Sequence, residues 1–123
     1  MAVVIKDHDS KTVATFDSNG SGEVRSLRRP TIMYVRYNKG SEDGFTFSFD
    51  FYEERLDAWF PLQFDDGTNI TDYVRTITDS KNYRIVVPVG ENEEKIRVNI
   101  TMNGDTSAPG NLLIDFIPMH FSF

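Results

Sequence analysis

The chain contains no cysteine. Disulfides, thiolate metal sites and cysteine nucleophiles are therefore excluded. Histidine is nearly absent as well. Only His8 and His120 are present, near opposite ends of the chain, and neither stands at a metal-ligand spacing such as His-x-x-x-His. His8, within KDHDSK, reads as a solvated turn residue and His120 as an ordinary strand residue. There is no Gly-x-Ser-x-Gly elbow and no phosphate-cradling P-loop. Alanine and leucine, the helix builders, are scarce. No run approaches the ~20 apolar residues of a membrane span. The opening MAVVIKDHDSK turns charged after a short apolar run, unlike a signal peptide. A formal net charge of −6 argues against general nucleic-acid binding by long-range attraction. A protein made and assembled in a cytoplasm is the expectation.

What is present favours strands. Ten Phe, five Tyr and one Trp make up 13% of the 123 residues. Together with Val, Ile and Thr they fit pleated, half-buried surfaces. The length suits one domain, residues 1–123. Strand-like runs recur with turn chemistry between them: AVVI, TVATF, EVRSL, TIMYVRYN, FTFSFDFYE, WFPLQF, NYRIVVPV, KIRVNITM and NLLIDFIPMHFSF. ITDYVRTIT (70–78) fits either a strand or two helical turns. The predicted fold is a single-domain antiparallel β-sandwich, jelly-roll or Ig-like, of eight to ten strands with at most one short helix. Alternation sorts the faces. Phe45, Phe47, Phe49 and Phe51 share a core with Ile96, Val98 and Ile100, and Leu112, Ile114 and Phe116 form another apolar face. Thr46, Ser48, Asp50 and Tyr52 then form an outward polar stripe.

Catalytic groups are few. Asp7/Asp9, Glu53/Glu54, Asp65/Asp66 and Glu93/Glu94 sit in predicted turns or strand ends, and sequence neighbours are not the signature of a cleft pair. Only distant carboxylates such as Asp50 with Asp115 would make an enzyme. Asp17-Ser18-Asn19-Gly20-Ser21-Gly22 matches the opening of a calcium loop, with Glu23 next in line. However, Arg28 stands where the closing glutamate belongs, and a hairpin turn on Asn19-Gly20 explains the same residues. No catalytic residue, metal or cofactor is assigned.

Charge is segregated along the chain. Residues 23–40 carry five cations against Glu23, a local +4, and residues 41–66 carry eight acids against Arg55, a local −7. Such segregation either pairs neighbouring strands or makes opposed patches for subunit contact. Trp59 is either a core residue or, with Tyr34, Tyr37 and Tyr52, a platform for sugar rings.

MYVRYNKGSEDGFTFSFDFYE, with its Lys-Gly-Ser-Glu turn, and the later strand Lys95-Ile96-Arg97-Val98 followed by a Gly/Pro turn and an apolar strand, resemble small phage virion proteins of the β-sandwich type. The resemblance covers roughly residues 31–117 and carries no catalytic signature. It implies a capsid decoration, head-completion or tail component, made in the host cytoplasm and located in the virion. Its partners would be other virion proteins, with a homo-oligomer expected and no nucleic acid or membrane. The residues expected to bind partners are Arg25, Arg28, Arg29, Tyr52, Trp59, Phe121 and Phe123. The alternative is a carbohydrate- or receptor-binding β-sandwich module.

Overall fold

A computed structural model describes residues 3–25, 30–88 and 95–119. Among these are twelve strands and no helix: β1 (Val3–Lys6), β2 (Thr12–Phe16), β3 (Gly20–Arg25), β4 (Thr31–Asn38), β5 (Glu42–Glu53), β6 (Ala58–Pro61), β7 (Gln63–Asp65), β8 (Ile70–Asp72), β9 (Val74–Ile77), β10 (Lys81–Val87), β11 (Lys95–Gly104) and β12 (Asn111–Pro118). Two sheets face each other across a shared core. The first has the order β10-β4-β12-β1-β2. The second has the order β3-β11-β5-β6, with β9 also on β5. All pairs are antiparallel except β1 with β12.

The expected sandwich forms, with more strands than the eight to ten expected from sequence. The extra ones arise because two runs break. WFPLQF leaves the ladder at Leu62, whose N–H donates to Phe49 O at 2.8 Å. ITDYVRTIT forms strands, not a helix, and breaks at Tyr73 into β8 and β9. Tyr73 turns into the core, and its hydroxyl donates to Val86 O at 2.6 Å, tying β5's edge to β10 of the other sheet. Between the breaks, β7 and β8 stand out as a separate hairpin. On β5, β9 pairs Phe45–Ser48 and β6 pairs Asp50–Glu53, so the two occupy successive lengths of one edge.

The alternating phenylalanines fill the core. Phe45, Phe47 and Phe49 are buried opposite Met102, Ile100 and Val98, while Phe51 is partly buried opposite Ile96. Met33, Val35, Leu112, Ile114 and Phe116 close the core from the facing sheet. Each fully buried Phe is worth about 1.5–3 kcal/mol against leaving it in water, so this strand is a main source of stability.

The Lys-Gly-Ser-Glu turn has a physical role. Glu42 is only 1% exposed. Its carboxylate accepts the Gly40 N–H on both oxygens (3.0 and 2.9 Å) and the Gly110 N–H at 2.6 Å. Ser41 completes the join: its N–H donates to Ala108 O, its hydroxyl donates to Asp105 O, and it accepts the Ala108 N–H. The β4–β5 and β11–β12 turns are thereby fastened together. A Cβ on Gly110 would lie 2.0 Å from Asn38 O, so only glycine permits this approach.

Candidate partner-binding face

The outer face of the second sheet is built by period 2. With the phenylalanines of β5 and the Ile/Val residues of β11 turned inward, the alternate residues must face solvent. Register then decides which of them meet. Arg25 lies opposite Lys95, Arg97 opposite Asp50 and Tyr52 opposite Trp59.

These residues hold one another in place. Arg97 donates from Nε (3.1 Å) and Nη2 (2.9 Å) to Oδ2 of Asp50, and Asn99 Nδ2 donates to the same oxygen at 2.9 Å. The Arg97 guanidinium also lies over the Trp59 ring, 4.4 Å from its centroid. Trp59 and Tyr52 pack at 5.4 Å and 57°. The Lys95 ammonium sits over the Tyr52 ring at 4.9 Å. The Tyr52 hydroxyl donates to Asp57, and that bond, first among the causes, raises the phenol above its ordinary value. The result is a row of Arg25, Lys95, Tyr52 and Trp59 beside a row of Arg97 and Asp50. At the sheet edge, Phe60 (44% exposed) pairs with Phe51 and so lies on the other face from Trp59; with Phe51 and Leu56 (66% exposed) it borders a hollow of about 290 Å³ that Tyr52 also lines. Farther along, the face is neutral, with Thr46 sharing hydrogen bonds with Thr76 and Asn103.

Compared with protein-family models, curated proteins and solved structures, the chain matches none. Its chemistry must be argued from the site alone.

Of the residues expected to bind partners, Arg25, Tyr52 and Trp59 come together on this one face. Arg28, Arg29, Phe121 and Phe123 lie outside the described residues, as do His120 and the Glu93/Glu94 pair. Trp59 is half-buried, held against the sheet rather than sunk in the core. The sugar platform read from the tyrosines does not assemble. Tyr37 is core, and Tyr34 lies on the first sheet, away from Trp59. Only Tyr52 neighbours Trp59, and Arg97 already occupies one face of the indole ring.

The carboxylates are also placed. Asp50 and Asp115 lie on the outer faces of opposite sheets, with the core between them, so they share no cleft. Asp66 accepts the N–H groups of Thr68 and Asn69, which lowers its pKa, and Asp65 accepts that of Gly67. Glu53 pairs with Arg55 at 3.1 Å. Asp7 accepts the N–H groups of Asp9 and Lys11 and so closes its turn. His8 is more covered than a solvated turn residue, its side chain 20% exposed with Nε2 at 3.4 Å from Asp9. The calcium-like run does not form a loop: Gly20–Gly22 is already strand, and Asn19 Oδ1 accepts the Met102 N–H at 2.8 Å.

Sequence reasoning placed Asp50 on the outward stripe but missed Lys95, Arg97 and Asn99 as members of the site. Their outward parity was legible from alternation. The register that sets Arg97 against Asp50 and across to Trp59 was not.

Proposed function

We propose that this protein is a structural subunit of a bacteriophage particle, a capsid decoration, head or tail component, that acts by adhesion to neighbouring proteins. The observation that carries the binding role is the pre-ordered row of Trp59, Tyr52, Arg97 and Lys95 on an open sheet face. Trp, Tyr and Arg are the residue types that dominate binding energy at protein interfaces. Here they are already immobilised by stacking and by the Arg97–Asp50 bond, so little side-chain freedom is lost on contact. The cations and carboxylates around them favour a polar rim that sets orientation. The phage assignment is supported by the resemblance over residues 31–117, in which the Lys-Gly-Ser-Glu turn has a definite structural task.

The test is quantitative mass spectrometry of purified particles. The reading expects this chain at a fixed copy number related to the particle's symmetry. Particles that lack the chain, or that carry it at variable trace levels, would end the assignment. Titration of Trp59 fluorescence with a sugar panel tests the glycan alternative. Saturable quenching would favour that alternative.

A further inference from the structure

Among the described residues the β7–β8 hairpin is little covered: the Phe64 ring meets that of Tyr73 at 5.1 Å, and the side that carries Ile70 stays open. Every residue from Gln63 to Asp72 is exposed. Isolated two-stranded hairpins are marginal in water, yet this one exposes Ile70 to 64% and Phe64 to 47%. Pairing puts Ile70 opposite Asp65, with the Gln63–Asp72 pair on the same side. The hairpin segment carries Asp65, Asp66 and Asp72 and no cation. It is an apolar knob set among carboxylates.

The outer face of the first sheet has the complementary character. Register places Arg84, Tyr34, Asp115 and Lys6 in one row, and Arg36 beside Leu113 in the next. Three cations thus stand against Asp115, with Asp7 also near enough to act on it, on a protein whose total charge is −6. Tyr34 and Ile117 are exposed to 38% and 40%. They line, with Leu113, Lys6 and Arg36, a hollow of about 430 Å³.

We propose that the β7–β8 hairpin of one copy docks on this face of a second copy, Ile70 entering the hollow between Tyr34, Leu113 and Ile117 while Asp65 and Asp72 meet Lys6 and Arg36. The two surfaces differ, so the contact is heterologous and propagates head to tail into a ring or a filament. It uses neither Trp59 nor Tyr52, so it stands or falls separately from particle binding.

Sedimentation velocity on the purified chain tests it. Wild type should self-associate with rising concentration, with affinity at least about tenfold weaker in high salt than in low salt. Ile70→Asn and Arg36→Glu should each be monomeric while still unfolding in one cooperative transition. Mixed, they should give a one-to-one dimer that does not extend, because one supplies an intact hairpin and the other an intact face. A wild type that stays monomeric at low salt, oligomers indifferent to both substitutions, or a mixture that stays monomeric would each overturn the proposal.

Discussion

Replacing Glu42 by alanine removes the acceptor that joins two turns, and the cost can be worked from its surroundings. Gly110 is buried, so its N–H would lose its carboxylate acceptor with no water to replace it, a loss of about 1–3 kcal/mol. Gly40 is exposed, so water restores part of its bond and the loss there is about 0.5–1 kcal/mol. Relief of the desolvation of a buried carboxylate offsets some of this. The net is about 1–3 kcal/mol. For a chain of this size that is a fall of roughly 4–12 °C in melting temperature. Glu42→Gln should lose less, since the amide keeps one acceptor oxygen while setting its NH2 against a donor. Calorimetry gives the magnitude. Amide exchange gives the location: the Gly110 amide should exchange far faster in the alanine variant, with the Phe47 and Ile100 amides still protected. A drop under about 2 °C, or unchanged exchange at Gly110, would refute the fastening role.

Three further predictions concern Tyr37, Asp115 and Arg97. The Tyr37 hydroxyl is buried and makes no hydrogen bond of ordinary geometry, although Glu42 lies close enough to act on it. Tyr37→Phe should therefore be neutral or slightly stabilising by chemical denaturation, and a loss above about 1 kcal/mol would show a real bond. Burial first, and then Glu42, raises the Tyr37 phenol. Above the ordinary tyrosine value of about 10 the unfolded chain releases this proton while the folded chain retains it, so stability should fall with pH from there upward. Tyr37→Phe should flatten that limb. Desolvation raises Asp115 despite Lys6 and Arg36 nearby, so its charged form is disfavoured on folding. Asp115→Asn should raise the melting temperature at neutral pH, and the gain should vanish in acid. Arg97→Lys should fail to replace arginine, because lysine cannot both donate twice to Asp50 and stack on Trp59. Its signature would be a change in Trp59 emission, with stability lowered by about 1–2 kcal/mol.

Much of the fold was legible because period 2 is insensitive to tertiary context when one face is buried. TIMYVRYN (31–38) is β4 end to end, and the inward set of KIRVNITM pairs with the phenylalanine row. Legibility failed where a single residue leaves its strand. Leu62 and Tyr73 break their runs because the chain must step off β5 to make the hairpin and then return, a long-range requirement with no local signal. Glu42 looked like one more acid in a turn, and its burial depends on Gly110, 68 positions away. The aromatic half of the candidate face, Tyr52 and Trp59, was visible from residue type. The half that immobilises it was hidden in the register between β5 and β11. Among the described residues no ion pair joins the two charge runs. Asp50 takes its cation from Arg97, beyond both runs, and the exposed acids of β7–β8 stand apart from the cations of the first sheet.

Hydroxyl-radical footprinting of the chain, free and assembled in particles, tests the central claim most directly. If the second sheet's outer face is the adhesive surface, Trp59 and Tyr52 should be labelled in the free protein and several-fold less when particle-bound. Equal labelling of Trp59 and Tyr52 in both states would contradict it.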